Sequence, residues 1–392
     1  MAMTETMTIN MGPQHPSTHG VLRLVLELDG EVVVKAVPHI GFLHRGVEKL
    51  SEYRTYHQVI PLTDRLDYLA PMSNNLGYVL AVEKLLGLTD AIPERAKVIR
   101  VIMAELTRLK SHLVWLACHG LDIGAMTVFI YCFRERETVM DIYEQVSGAR
   151  MTSNYFRVGG LSADLPDGLE KTIRTFAEDM PGHIATYEGL LTGNRIWQKR
   201  IQGVGVIKAE QAIDIGLTGP SLRASGVDQD LRRDNPYSGY ENYDFKVPVR
   251  TECDTWARYH VRLEEMRQSC RIILQALDRL KPGPILADAP KIVLPPKKDV
   301  VNTIEGLIHH FKIVSEGFKP EAGDIYQEVE APKGTLGYYL VSDGSPKPYR
   351  MKIRPPSFVN LQALPQMVEG SLIADVVAVI GTLDIVLGEI DR

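Results

Sequence analysis

Apolar residues recur at every second position near the start of the chain and predict a β-hairpin. Four leucines follow this spacing over 22–28, which is typical of a strand with one buried face. An Asp-Gly pair at 29–30 leads into a second apolar run over 32–37, and this dipeptide favours a tight hairpin turn. Residues 12–20 (GPQHPSTHG) carry two prolines between two glycines. We therefore expect a loop there, leading into a strand at the edge of a sheet.

Further along, apolar residues recur every three to four positions and predict a bundle of helices. The early part of 128–147 is apolar on every side, which favours burial inside that bundle. An apolar tail over 372–388 is interrupted by Gly381. The predicted helices cover 74–86, 94–116, 128–147, 169–191, 253–280 and 299–315.

Short apolar stretches between these helices are typical of strands. The connection over 219–243 is polar, contains Gly and Pro, and shows no strong structure of its own, so we expect it to be functional or to form an interface. The predicted short strands are 201–207 (IQGVGVI), 245–249 (FKVPV), 325–330, 337–342 and 349–353. These elements predict the α+β class, with a central helix bundle and β-hairpin elements at the N-terminal and C-terminal ends.

The expected organisation is a single structural domain built from four segments. Residues 1–45 form an N-terminal loop and hairpin, and 46–200 form the helical core. Residues 201–298 form a mixed segment with a long interface loop, and 299–392 contribute a helix, strands and a buried tail.

Composition narrows the class of protein. The 392 residues carry a net charge of −5, which argues against a general nucleic-acid surface. The four cysteines lie at least 14 residues apart with no C-x-x-C pair, so a self-contained zinc or iron–sulfur site is not expected, and a reducing compartment is.

No targeting or spanning segment is expected. The start, MAMTETMTIN, has neither the pattern of a secretory signal nor the arginines of a mitochondrial leader. The longest nearly uncharged stretch, 111–133, has His, Asp and Gly near its middle, which is wrong for a membrane span. The protein is expected to be soluble or peripheral to a membrane.

Phosphate-binding glycine loops, metalloprotease helices and nucleophile elbows are all missing from the sequence. Three groups of polar residues remain as candidates for chemistry. The first is the loop pair His15 and His19, although a loop histidine is more often solvated or structural. The second is TDRLDYL at 63–69, and the third is HGLDIGAM at 119–126.

Each of the last two groups has a structural alternative. Thr63 or Asp64 could cap the start of a helix, with Arg65 exposed. Asp122, among apolar neighbours, could cap the following helix or orient a histidine. A histidine, a tyrosine and an aspartate also form a suitable donor set for an uncharged ligand with two carbonyl groups, but spacing alone does not say whether they meet.

The sequence resembles the NuoD-type subunit of respiratory complex I, which is related to the large subunit of nickel–iron hydrogenases. The resemblance covers the chain from about residue 8 onward. It rests on the ordered motifs GPQHPSTHGVLRL, PHIGFLHRGVEKL, DRLDYL, HGLDIGAMT, VSGARM, LRASG, EAPKG, YLVSDGS and VIGTLDIVLGEIDR.

The resemblance implies a core subunit of the peripheral arm of proton-pumping NADH:quinone oxidoreductase, on the cytoplasmic side of a bacterial inner membrane. Quinone is then a substrate, and the chain itself binds no cofactor and no metal. A terminal 4Fe-4S cluster lies in an adjacent NuoB-type partner, with which this subunit forms the quinone headgroup pocket. NuoC-type, NuoI-type and NuoH-type subunits are the other implied partners.

Family positions carry over to particular residues. The quinone-ligand histidine falls on His19, the ligand tyrosine on Tyr68, and the aspartate paired with the histidine on Asp122. Loss of protons from the His–Asp pair would then alter local electrostatics and trigger proton pumping. Arg45 and Arg65 match two arginines beside the partner's cluster, where positive charge favours the reduced state. The loop of residues 1–45 would form one wall of the quinone site.

Two departures from relatives affect the expected chemistry. The segments that resemble the nickel-binding ends of hydrogenases contain no cysteine, so nickel–iron chemistry is not expected and the old metal cavity becomes the quinone cavity. Thr152 stands where many family members have a histidine that takes up a proton on cluster reduction. We therefore expect a weaker pH dependence of the cluster. The alternatives are a non-catalytic scaffold of the same complex or, disfavoured by the missing cysteines, a membrane-bound hydrogenase large subunit.

Overall fold

The computed structural model of the protein describes residues 6–392. The expectation about a leader falls partly on the first five residues and, to that extent, lies outside the described chain. The strands in this part are β1 (Met7–Met11), β2 (Arg23–Asp29), β3 (Val32–His39), β4 (Phe156–Arg157), β5 (Gly160–Leu161), β6 (Gly323–Ala331), β7 (Gly334–Ser342) and β8 (Arg350–Arg354).

Helices make up most of the remaining regular structure, so the predicted α+β class is confirmed. In chain order they are α1 (Val47–Ser51), α2 (Tyr56–Thr63), α3 (Pro71–Leu85), α4 (Glu94–Asp122), α5 (Met126–Ser147), α6 (Leu169–Leu191), α7 (Arg195–Ile201), α8 (Ala209–Ile215), α9 (Pro220–Arg223), α10 (Leu231–Asp234), α11 (Thr255–Arg279), α12 (Lys297–Asn302), α13 (Ile304–Ser315), α14 (Pro356–Gln362), α15 (Leu364–Val368), α16 (Ile373–Leu383) and α17 (Leu387–Ile390).

The N-terminal sheet contains the predicted hairpin, β2–β3. The four alternating leucines of 22–28 are buried on one face, as the pattern predicted. The sheet order is β1-β2-β3, so β2 is the central strand, and the expectation of an edge strand is wrong. The sequence pattern missed β1, which pairs antiparallel with β2. The loop of residues 12–20 therefore connects two neighbouring strands.

The helix bundle is organised around α4, whose 29 residues are almost entirely buried. Helices α3, α5, α11 and α16 pack against it. The predicted helices over 74–86, 94–116, 128–147, 169–191 and 253–280 are confirmed as α3, α4, α5, α6 and α11.

Two of the predicted strands are wrong. Over 201–207 the chain ends α7 and then turns, because Gly203 and Gly205 have φ of +70° and +62°, a conformation that breaks a strand. Residues 245–249 are extended but pair with no strand in the described chain. The Lys246 amide instead donates to the Gln268 side chain of α11 at 3.0 Å.

The C-terminal strand predictions are confirmed as β6, β7 and β8, an antiparallel sheet that packs against α3. The single helix predicted over 299–315 is instead two helices, α12 and α13. Thr303 is extended between them, and its side chain accepts a bond from the Gly306 amide at 3.0 Å. This cap begins the second helix.

The connection over 219–243 has more structure than its composition suggested, since it contains α9, α10 and a 3-10 turn at Tyr240–Asn242. Arg223 and Arg232 from this segment are buried and pair with buried carboxylates. These interior ion pairs order the segment, so the expectation of weak structure is wrong.

A shared core joins the two ends of the chain. Leucines of β2 pack with buried residues of α14 to α17, including Val379 and Ile390. None of the helices within residues 6–392 is both long and apolar enough to cross a membrane. The four-segment division of the chain stays a prediction.

Candidate functional site

The loop between β1 and β2 places its two histidines in different surroundings. Exposed His15 accepts a bond from the Ser17 amide on Nδ1 at 3.2 Å and begins a 3-10 turn over Pro16–Thr18. His19 ends that turn with φ of +53°, and this left-handed conformation redirects the chain. Its half-buried imidazole lies near the backbone of Ile385. His15 therefore has a local structural role, and His19 faces the interior.

Tyr68 lies on the loop between α2 and α3, against the C-terminal segment. A Cβ on Gly388 would be 3.3 Å from Cε1 of Tyr68 and 2.6 Å from the Leu66 carbonyl oxygen. Glycine at 388 therefore allows this segment to lie directly on the 65–68 loop.

The alternative that Thr63 or Asp64 caps the start of a helix is wrong. Thr63 is the last residue of α2, and Asp64 follows it. The Asp64 Oδ2 instead accepts a bond from the Asn154 amide at 2.8 Å. A distant segment thus uses the carboxylate that a local cap would have used. Arg65 is exposed.

Buried Lys333, in the turn between β6 and β7, lies near both candidate ligands. Its Nζ is 2.9 Å from Asp67 Oδ2, 3.8 Å from Asp384 Oδ2 and 2.9 Å from Ser111 Oγ. This ammonium therefore joins the 63–69 loop, α4 and the C-terminal segment. Sequence reasoning missed it because a lysine between Pro and Gly in a hairpin turn is ordinarily solvated.

The charge of Lys333 acts on His19 and Tyr68 in the same direction. Burial, reinforced by Lys333, lowers the pKa of His19 to about 4, so the imidazole is neutral at neutral pH. Burial raises the pKa of Tyr68, and the Lys333 and Arg45 charges oppose that rise. Both side chains are therefore neutral hydrogen-bond donors, and the nearby cation favours release of their protons.

Asp122 is the last residue of α4 and is half-buried, and burial raises its pKa to about 6. The alternative that it caps α5 is wrong, because the corner is closed by the backbone, with the Ala125 amide donating to the Gly120 carbonyl at 2.7 Å. Neither a hydrogen bond nor an ion pair joins Asp122 to His19 in this structure. Buried His119, also on α4, lies close enough to His19 to interact with its charge. Burial lowers the pKa of His119, and nearby arginines and then His19 add to that effect.

Arg45 and Arg65 form an exposed positive rim beside Tyr68. Arg45 donates to the carbonyl oxygens of Arg65 and Gly388, and Arg65 donates to the Pro61 carbonyl at 2.6 Å. Burial and the neighbouring Arg65 charge lower the pKa of Arg45. The rim is therefore fixed by backbone carbonyls and presents two guanidinium groups to an adjoining surface.

The end of the chain holds this rim in place. The Asp391 carboxylate accepts bonds from the amides of Gly41 and Leu43, both at 2.8 Å. A cleft of about 840 Å³ lined by residues of 90–93 and 284–309 contains none of the candidate residues. The candidate polar chemistry therefore lies outside this cleft.

Glu389→Gln is expected to remove a loss of stability that accompanies rising pH. Burial, reinforced by the Asp67 charge, raises the pKa of Glu389 from 4.5 to about 8. The folded chain then binds more protons than the unfolded chain between these values, so its free energy of unfolding falls as pH rises through them. Glutamine keeps an oxygen that can accept the bond from the Ser357 amide, which is 3.0 Å in the wild type.

Thermal unfolding at pH 5 and pH 8.5 checks this expectation. The wild-type midpoint should fall more between these values than that of Glu389→Gln, with exposed Glu321→Gln as the control. Equal falls in all three proteins would contradict the assignment.

Comparisons with known proteins agree with the sequence resemblance. Residues 122–392 match the family model described as the respiratory-chain NADH dehydrogenase 49 kDa subunit. Relatives named as the D subunit of NADH-quinone oxidoreductase, from Geotalea uraniireducens and Geobacter sulfurreducens, are 75% and 74% identical over 392 residues, the full length of each chain. A relative from Solibacter usitatus, numbered as the first D subunit of the same enzyme, is 58% identical over 386 residues, 98% of this chain and 94% of that one. The chain belongs to the family of the NuoD-type, 49 kDa subunit of respiratory complex I.

Proposed function

We propose that this chain is a core subunit of a proton-pumping NADH:quinone oxidoreductase and forms the headgroup end of its quinone site. One observation carries the proposal: two neutral donors, His19 and Tyr68, lie near the same buried cation, Lys333. A quinone has two carbonyl oxygens and no charge, so a pair of neutral donors suits it.

Each donor has a defined part in the reaction. The Tyr68 hydroxyl and one N–H of His19 each donate to a quinone oxygen. When two electrons arrive, the quinone takes up two protons, and these two groups supply them. Lys333 stabilises the charge left behind, because its ammonium lowers the proton affinity of both donors. Asp122 would respond to the change on His19 through the polar groups around His119.

The electrons come from a partner rather than from this chain. Arg45 and Arg65 form a fixed positive surface, which suits a neighbouring 4Fe-4S cluster carried by a NuoB-type subunit. NuoC-type and NuoI-type subunits of the peripheral arm and a NuoH-type membrane subunit complete the proposed surroundings. The chain would then lie on the cytoplasmic side of the bacterial inner membrane.

Tyr68→Phe is expected to lower quinone reduction on the order of 100-fold, because one positioned proton donor is lost. The measurement is NADH:quinone turnover in membranes that carry the assembled complex, with cluster reduction by NADH followed spectroscopically. Exposed Tyr53→Phe is the matched control and should keep full activity.

The same experiment separates this function from a scaffold role. Cluster reduction without quinone turnover in Tyr68→Phe supports the site. Unchanged turnover would mean that the chain is a scaffold and that the redox chemistry belongs to its partners.

Two further expectations concern metals. The sequence motifs that resemble nickel-binding ends lack cysteine, and no suitable cluster of three His, Cys, Asp or Glu side chains occurs over 6–392. Metal analysis that found nickel bound by this chain would contradict the proposal. Thr152 has no imidazole, so the midpoint potential of the partner's cluster should depend on pH more weakly than in relatives with histidine there.

A further inference from the structure

Two buried ions of opposite charge lie beneath the 63–69 loop without complete hydrogen bonding. Lys110 of α4 is 0% exposed, and its Nζ has no hydrogen-bond partner among residues 6–392. It lies 4.2 Å from the centre of the Tyr143 ring. The Asp64 Oδ1 is also buried and unpaired within the described chain, although Oδ2 accepts the Asn154 amide.

Other unpaired polar atoms surround this pair. The Asn75 Oδ1 and the Ser153 Oγ are buried without partners in the part of the chain that the structure describes. Asn75 is held by its Nδ2, which donates to Thr63 Oγ1 at 2.9 Å. Buried polar atoms in folded proteins are almost always satisfied, and internal water, with two to four bonds, commonly does so. This interior region therefore has the chemistry of a hydrated channel.

The polar region extends in two directions. Outward, Ser153 belongs to the 149–154 segment, where Arg150 and Asn154 are partly exposed. Inward, Ser111, the residue after Lys110, bonds to Lys333 at 2.9 Å, and Lys333 pairs with Asp67 beside Tyr68. A line of polar groups thus runs from the surface to the proposed quinone ligands.

Both ions have proton affinities suited to exchange near neutral pH. Burial lowers the pKa of Lys110 to about 7. The charges of Arg136 and Lys333 act in the same direction, and those of Asp67 and Asp64 oppose it. Burial raises the pKa of Asp64 to about 7. The other titratable group facing the ammonium is Tyr143, whose pKa burial raises so far that it stays neutral.

We propose that Lys110 and Asp64 relay protons, through internal water, from the 149–154 segment to the Asp67–Lys333 pair beside Tyr68. The relay rests on the function proposed above and supplies the protons that the quinone consumes.

The transfer balances for each proton. Tyr68 gives its phenolic proton to a quinone oxygen as the electrons arrive from the partner. An N–H bond of the Lys110 ammonium then breaks, and its proton reaches the phenolate through water, where an O–H bond forms. The amine takes a proton from the Asp64 carboxyl, and the carboxylate regains one from solvent. One solvent proton therefore enters for each proton placed on the quinone.

Three variants in the assembled complex test the relay: Lys110→Met, Lys110→Arg and Asp64→Asn. Turnover of NADH with a short-chain ubiquinone is measured from pH 6 to pH 9, and turnover with ferricyanide reports assembly. All three should lose on the order of ten-fold in kcat at pH 8, with an unchanged KM for quinone. The deficit should shrink toward pH 6, where solvent protons are more abundant.

Arginine distinguishes a relay from a fixed charge. It keeps the positive charge but does not release a proton, so normal activity in Lys110→Arg would overturn the relay. Lys97→Met on the same helix is the matched control and should behave as wild type. If the larger arginine prevents assembly, near-isosteric Asp64→Asn decides, and a wild-type pH profile there would overturn the proposal.

The outcome is separable from that of the proposed function. Normal Lys110 and Asp64 variants beside an inactive Tyr68→Phe would remove the relay alone. Normal turnover in Tyr68→Phe would remove the quinone site itself.

Discussion

Arg223→Met is expected to destabilise the protein by about 3–5 kcal/mol, the cost of leaving buried carboxylates without their cation. Arg223 is 0% exposed. It donates to Glu265 Oε1, to Glu330 Oε1 at 2.8 Å and to the Gln229 carbonyl at 2.8 Å. Although burial opposes it, the Arg223 charge holds the pKa of Glu265 well below its usual range.

The neighbouring helix provides a matched control in Arg233→Met. Arg233 makes ion pairs of 2.9 Å with Asp228 and 2.8 Å with Asp234, but these groups are exposed. Solvent screens such pairs, so their loss should change stability by less than about 1 kcal/mol. Urea denaturation followed by tryptophan fluorescence measures both variants. Similar midpoints for the two would contradict the view that the interior network orders the 219–243 segment.

Lys333→Met should combine a loss of stability with a loss of quinone reduction. The variant leaves Asp67 and Asp384 buried without their ammonium, which costs about 3–5 kcal/mol if they stay ionised. Burial already raises the pKa of Asp384 to about 6, so protonation will relieve part of this cost. The two proton donors also lose the charge that favours release of their protons, and turnover should fall on the order of 100-fold.

The pH profile separates the two effects. If Lys333 acts on the donors, its loss should shift the pH dependence of quinone turnover to higher pH, because proton affinities rise. Exposed Lys352→Met, which breaks a 3.2 Å pair with Glu48, should leave both stability and profile unchanged. A Lys333→Met enzyme that assembles and turns over normally would show that the buried ammonium is only structural.

Elements with a long, one-sided pattern could be predicted from the sequence. The 22–28 strand and α11 follow local periodicity, because each buries one face. The strand prediction at 201–207 failed because the apolar run hid two glycines that adopt positive φ. The 299–315 prediction missed a break because Thr303 forms its cap through a side-chain bond that periodicity does not report.

The site depended on contacts between distant parts of the chain. His19 and Tyr68 were found through family motifs, since a loop histidine and a tyrosine after an aspartate have no period. Lys333 was missed because its burial depends on Asp67 and Asp384, which lie 266 and 51 residues away in the sequence. Asp64 was assigned a local capping role because its real partner, Asn154, lies in a different segment.

The core that joins the two chain ends has a consequence for biosynthesis. The leucine face of β2 is covered by residues up to Ile390, which the ribosome adds last. At about 5–20 residues per second, that face waits on the order of 20–70 s for its cover. A nascent sheet with an uncovered apolar face is a template for misassociation. Synthesis of this chain therefore calls for a holding chaperone until the final helices emerge, and partner subunits can recognise the rim only after that.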